Sequence, residues 1–211
     1  MGVTSGGIRM NRLSCALLSL LAIAFVLGVG TATAQDNVYD VGYFTNANAA
    51  GAPSAQLRFT NDGAYSAGND SQSLCANIYV FDNAEEMVEC CSCEITPDGY
   101  LDLSVNTNLL GNILDHGTKP TRGIIKELSS IVPVGTGICN PTFVGPEPGI
   151  KGWLTHVQKG ATAGTFSLTE TPLTDASLSA QELSVNLQSV CSAVLSLGSG
   201  SGECSCTDAG D

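Results

Sequence analysis

The chain has 211 residues and a formal net charge of −12, with 20 acidic against 8 basic side chains. Such a balance repels polyanions and so excludes a nucleic-acid surface or an anionic-membrane surface. Only 13% of the residues are charged, against about a quarter in ordinary soluble domains, and the glycine, serine, threonine, asparagine and alanine in their place suit a turn-rich extracellular β-structure better than a helical cytosolic enzyme.

The first segment in chain order has the arrangement of a secretory leader. Arg9 and Arg12 precede an uncharged apolar run from Leu13 to Val29, and Ala32-Thr33-Ala34 follows with small side chains at the cleavage positions. The run is shorter than the roughly 20 apolar residues of a membrane span, and Gly28 and Gly30 close it. We therefore read 1–34 as a signal peptide that carries Cys15 away with it, rather than as an uncut anchor. Cleavage leaves residues 35–211 as a single domain that begins at Gln35. This remainder has 6 basic and 20 acidic residues, a net charge of −14, because both leader charges are arginines. It contains no second run long enough to span a bilayer, so no membrane contact is expected after cleavage.

The mature chain opens with strands. Val38–Phe44 and Ala55–Thr60 alternate at a strand period, and Asn61-Asp62-Gly63 marks a turn. Gly68-Asn69-Asp70-Ser71 reads as a further loop. Cys75–Phe81 is β-branched and aromatic, Asp82–Glu86 is polar, and Met87–Thr96 returns to strand character, which predicts a hairpin with a longer loop. Pro97-Asp98-Gly99 forms a turn into a third strand, Tyr100–Val105. Asn106–Thr118 reads as loop, Thr121–Val132 as strand, and the glycine- and proline-rich stretch 134–149 as a long loop around Cys139. Lys151–Gln158 and Thr165–Leu173 are two closing strands. The period then changes. Ser179-Ala180-Gln181-Glu182 is a capping box, and Leu183, Leu187, Val190, Cys191, Val194 and Leu197 recur on one helical face up to the stop at Gly198. That stripe should pack on the sheet with Cys191 pointing inward.

The one dense constellation is cysteine. Cys75, Cys90, Cys91, Cys93, Cys139, Cys191, Cys204 and Cys206 remain after cleavage, an even set in an oxidising compartment, and we expect bridges. Alternation puts Cys91 and Cys93 on one face of their strand and Cys90 on the other. If the hairpin centres near Ala84, Cys75 lies opposite Cys93, within disulfide reach. Cys90 and Cys91 must then find different partners among Cys139, Cys191 and the tail pair Cys204/Cys206. The competing reading gives Cys90-Cys91-Ser92-Cys93 and Cys204-Ser205-Cys206 to zinc, to copper(I) or to redox chemistry. Neither stretch has the spacing of common zinc knuckles, and export opposes free thiols, so no metal or cofactor is expected.

Catalytic motifs are weak. His116 follows Asp115 in a loop and His156 sits in a strand near Trp153, but no nucleophile elbow, H-E-x-x-H, phosphate loop or dinucleotide fingerprint occurs. Glu85, Glu86, Glu89 and Glu94 could supply paired carboxylates for sugar hydrolysis, although the first two fall in a polar loop. Asp98 and Asp102 could meet calcium without forming an EF-hand loop. Trp153, Tyr100, Tyr79 and Phe81 could make a sugar-stacking face, with core packing as the plainer fate.

Several blocks are similar to those of bacterial secreted cysteine-rich proteins of unknown function. They are Tyr79-Val80-Phe81-Asp82, Met87-Val88-Glu89-Cys90-Cys91-Ser92-Cys93 with Thr96-Pro97, Leu103–Asn106, Thr121–Lys126, Trp153–His156, and the tail from Leu197-Gly198-Ser199-Gly200 to Cys204-Ser205-Cys206. The resemblance spans most of 74–206. It implies export and a cysteine framework, and it transfers no activity. The expectation is thus a mainly β, antiparallel, sandwich-like domain with one C-terminal amphipathic helix, cross-linked by up to four disulfides. It would be secreted or held at the exterior of the cell envelope, with a non-catalytic structural, adhesive or interaction role toward a protein or glycan partner. A carbohydrate- or peptide-binding module is the second reading and an extracellular hydrolase the third.

Overall fold

The computed structural model describes residues 38–46, 50–63, 72–114 and 118–207. The leader, the loop expected at Gly68–Ser71, and His116 lie outside the described residues. The strands are β1 (Tyr39–Thr45), β2 (Gln56–Asn61), β3 (Leu74–Phe81), β4 (Met87–Ile95), β5 (Tyr100–Ser104), β6 (Arg122–Ile131), β7 (Ile150–Lys159), β8 (Phe166–Pro172) and β9 (Thr174–Asp175). They form one sheet in the order β4-β3-β6-β1-β7-β2-β5, with β8 on β7 and β9 on β1. Pairing is antiparallel except where β1 and β7 meet at Thr45 and His156. The expected β-rich class is therefore observed.

The sheet curls so that the inward faces of distant strands share one core. Leu57 and Phe59 of β2, Leu103 of β5, Ile78 and Val80 of β3 and Ile125 of β6 are all buried in it. β2 shows the alternation that drives this, with Leu57, Phe59 and Asn61 in and the residues between them half-exposed. Gly42 and Gly152 admit the Leu173 side chain to this core; a Cβ at Gly152 would sit 2.6 Å from Leu173 Cδ1.

β3 and β4 are buried on both faces, because a second core covers their outer side. Tyr39, Tyr79, Met87, Cys90 and Leu128 of the sheet meet Leu187, Cys191 and Val194 of the C-terminal helix there. The helix begins as a wide π-type segment, Glu182–Ser189, and continues as α1 (Val190–Leu197). Half of the expected capping box forms, Glu182 N donating to Ser179 Oγ at 3.0 Å. The Glu182 carboxylate turns instead to the sheet, where Lys126 and Tyr39 donate to it. Cys191 is inward as expected, but Val190 and Leu197 are not with it: they are 37% and 77% exposed. Both fall on one flank of the stripe, at the edge of the sheet contact.

The segment expected as loop after β5 contains a helical turn, Val105–Leu109, with Thr107 N donating to Ser104 Oγ. Leu109 and Leu110 anchor it in the first core. The long loop 132–149 is pinned by Cys139 and by Tyr79, whose hydroxyl donates to Pro141 O at 2.8 Å.

All eight expected cysteines are bridged, as Cys75–Cys139, Cys90–Cys191, Cys91–Cys204 and Cys93–Cys206. The expected Cys75–Cys93 bridge is wrong. Phe81 pairs with Met87, as a turn centred on Ala84 requires, but the ladder then slips between Val80 and Phe81. Val88 is the extra residue of a β-bulge, so Val80 pairs with Glu89 and Cys75 faces Glu94. A one-residue slip moves every later side chain to the other face, and Cys93 lies opposite Ala76. Cys75 is thereby free for the long loop, and Cys93 for the tail.

Candidate functional site: a groove between helix and hairpin

The slipped hairpin, β6 and the flank of α1 enclose a groove of about 620 Å³. Phe81 and Met87, at the ends of β3 and β4, form one wall with Ile124 of β6. Val190, Val194 and Leu197 of α1 form the other. The half-exposed helix residues thus have a place in the fold: they line an open apolar surface beside the second core. Leu114 closes one end, and Asn186 reaches in from the π-type segment.

Lys126 is the one cation lining the groove among the described residues, and its charge is spent locally. Its ammonium donates to Glu182 Oε1 at 2.6 Å and lies 4.6 Å from the centre of the Phe81 ring. Glu182 also accepts from Tyr39 Oη at 2.9 Å and from Asn186 Nδ2 at 2.7 Å. Burial opposes charge on Glu182, but the bonds from Lys126, Asn186 and Tyr39 outweigh it and hold the carboxyl below its usual range. Burial, helped by the Glu182 carboxylate, pushes the Tyr39 phenol up.

The rim on the hairpin side is acidic. Asp82 Oδ1 accepts from Ala84 N at 2.8 Å and Glu86 N at 3.0 Å, which folds the tip tightly. Glu85 takes a φ of 67°, a left-handed conformation that glycine or asparagine fills at least cost. Both Glu85 and Glu86 are exposed and line the groove. The arrangement is an apolar trough with a neutralised base and two exposed carboxylates at its mouth. It suits an apolar group that carries a positive charge.

The residues singled out by sequence distribute differently. The sulfurs expected as bridges are all bonded in pairs, and the same bonds occupy the thiolates that a metal reading would need. His156 is buried, stacks on Tyr43 at 4.2 Å, and pairs its Nε2 with Thr171 Oγ1 at 2.8 Å. Its Nδ1 is buried without a partner, and burial lowers its pKa. Among the described residues no carboxylate or serine hydroxyl is bonded to that ring. Of the four glutamates, Glu85 and Glu86 sit at the groove mouth and Glu94 is exposed at the far end of β4. Glu89 is wholly buried, accepts Asn112 N at 2.7 Å, and is pushed up to about 7 by burial, which that bond and Lys119 oppose. Asp98 lies in the turn before β5, and Asp102 holds Arg58 at 3.1 Å. The aromatic set divides: Tyr79 is core, Phe81 lines the groove, and Trp153 and Tyr100 lie on the outward side of β7 and β5.

Two buried acids escaped the sequence reading. Asp40 of β1 and Glu127 of β6 are direct cross-strand partners, with Asp175 of β9 on the other side of Asp40. Asp40 is pushed up to about 6 by burial and then by Asp175. Glu127 is raised well above its usual value by burial and then by Asp40. Asp40 Oδ1 and both Glu127 carboxyl oxygens are buried without a hydrogen-bond partner. The signal was present in the sequence, as each acid interrupts an apolar strand. The groove left no local signal, because four separate segments build it.

No family model matches the chain, and no curated protein matches it. A solved structure titled "Crystal Structure of Thermotoga maritima 1070" superposes with a TM-score of 0.39 at 15% identity, over 66% of this chain and 94% of that one. That similarity is too low to carry a role across. Among the described residues no helix is long and apolar enough to cross a membrane.

Proposed function

We propose that the protein is a secreted, non-catalytic binding domain. Its helix–hairpin groove takes an apolar peptide segment bearing a lysine or arginine. The groove itself carries the reading: apolar walls from α1 and β6, with Glu85 and Glu86 at the mouth unpaired by any cation among the described residues. Four disulfides fit an oxidising compartment, and the leader-like segment 1–34 supports export to the cell exterior. The acidic surface favours a basic partner and speeds its approach.

Calorimetric titration with amphipathic peptides of matched apolarity tests this reading. A cationic peptide should bind with a negative heat-capacity change, as expected for apolar burial. Its acidic counterpart should bind at least about 10-fold more weakly, in proportion to a rim-charge difference on the order of 1.4 kcal/mol. Leu197→Asp should abolish the difference in heat capacity without loss of fold. Equal binding of both peptides, or unchanged binding to Leu197→Asp, would rule the groove out.

A glycan-binding face is the second reading. Trp153 and Tyr100 stay outward on the β7-β2-β5 face, around an Arg58 that pairs with Asp102 and Glu170. Retention on a polysaccharide column that Trp153→Ala abolishes would favour it over the groove.

A further inference from the structure

Cys91 and Cys93 share one face of β4, and their partners Cys204 and Cys206 arrive from the tail with the same one-residue spacing. The two bridges are neighbours. Sγ of Cys91, Cys93 and Cys206 all lie within 4.8 Å of one another, and Cys204 is bonded to Cys91. Three sulfurs therefore converge at one point on the sheet edge, and the fourth, Cys204 Sγ, is one bond away. Cys206 is exposed, whereas Cys90 and Cys191 of the neighbouring bridge are both wholly buried.

The tail does not rely on sulfur alone to stay there. Cys90 N donates to Gly202 O at 2.9 Å, and Ser205 N to Asn108 O at 3.0 Å. Asn108 Nδ2 donates to Thr207 O at 2.7 Å, and Asn112 Nδ2 to Gly200 O at 2.6 Å. These bonds hold the tail along the edge of β4 in addition to its sulfur bonds.

We propose that this cluster is a latent tetrathiolate site that takes a thiophilic cation, Zn²⁺ or Cu(I), once a dithiol has opened both bridges. A thiolate of the dithiol attacks the exposed Sγ of Cys206, the Cys93–Cys206 bond breaks, and Cys93 leaves as thiolate. The second thiol of the reagent displaces Cys206 and closes its own disulfide. A second dithiol reduces Cys91–Cys204 in the same way. Four electrons enter, two dithiols are oxidised, and four protein thiols result; the cation then displaces their four protons. Tetrahedral zinc with Zn–S near 2.3 Å sets sulfurs about 3.8 Å apart. The sulfurs of Cys91, Cys93 and Cys206 all lie within 4.8 Å of one another, with Cys93 and Cys206 at bonding distance, so opening that bond lets the pair move apart toward the ligand spacing. β4, hydrogen-bonded to β3 along its length, holds one pair still while the tail adjusts the other.

The test uses the oxidised full-length domain treated with dithiothreitol and titrated with Co²⁺, which reports tetrahedral thiolate ligation by its visible and charge-transfer bands. One equivalent should bind with those bands, and alkylation mapping should find Cys91, Cys93, Cys204 and Cys206 protected by the metal. The Cys204→Ser/Cys206→Ser variant should bind about 100-fold or more weakly, since half of the ligands are gone. Cys75→Ser/Cys139→Ser should bind as the parent does. Four alkylatable thiols without Co²⁺ bands would overturn the proposal, as would equal binding by the tail variant. Circular dichroism before metal addition guards against a trivial result: a reduced chain that has lost its β signal contradicts a site held together by the tail's own hydrogen bonds.

Discussion

The two long edges of β3 and β6 face opposite problems. On the β4 side, Cys90 on one face and Cys91 and Cys93 on the other join the sheet to α1 and to the tail, and they close chain separations of 101 and 113 residues. On the β1 side, Asp40 and Glu127 sit side by side, buried and without a cation partner among the described residues. The first region is held by covalent bonds, with Glu89 of β4 as its raised acid. The second is held by packing and by the backbone ladders of β1, and contains groups that resist ionisation. Stability in this molecule is thus added at one margin and lost at the other. Reductants should act on the first alone, and protons on the second and on Glu89.

The largest effect should come from breaking the covalent side. Removing the buried helix bridge with Cys90→Ala/Cys191→Ala should lower unfolding stability by about 3–5 kcal/mol, read as the urea midpoint at pH 7. The loss should be similar at pH 5 and pH 8, because a cystine does not titrate.

Proton dependence is the next largest. Asp40 and Glu89 have folded pKa values raised to about 6 and about 7, above those of the unfolded chain. The native state therefore binds the extra protons, and the stability they confer is whole below the unfolded carboxylate range. It is lost as pH rises through 6 and 7. Urea midpoints should fall between pH 5 and pH 8 by the equivalent of about 2–4 kcal/mol. Asp40→Asn should gain about 1–2 kcal/mol at pH 8 and nothing at pH 4, which flattens the curve. A profile that rises toward pH 8 would reverse the assignment of the acid pair as destabilising.

The smallest effect lies at the hairpin tip, between the two regions. Glu85→Gly should relieve the left-handed backbone and stabilise the fold by about 0.5–1 kcal/mol in thermal unfolding. The same change should weaken binding of a cationic peptide to the groove. Glu85 would then be a residue kept for its charge at a conformational cost.

The strands were legible because alternation is local. β1 through β8 fall within a residue or two of where Val38–Phe44, Ala55–Thr60 and the later runs put them. The helix and its inward Cys191 were legible for the same reason. The bridge partners were not, because one bulged residue, Val88, reverses the faces of everything before it in β3 relative to β4. No composition rule marks Val88 as the extra residue. The groove was equally hidden: Phe81 and Val190 are more than 100 positions apart, and only the packing of α1 across the sheet brings them together. Asp40 and Glu127 were readable one at a time as acids inside apolar strands, but their adjacency needed the β1–β6 register.

Non-reducing peptide mapping of the protein bears most directly on the bulged register and the cystine margin that depends on it. The digest should yield Cys75–Cys139, Cys90–Cys191, Cys91–Cys204 and Cys93–Cys206, with no alkylatable thiol among them. Recovery of Cys75 linked to Cys93 would contradict the register, the tail's attachment to β4 and the sulfur cluster together.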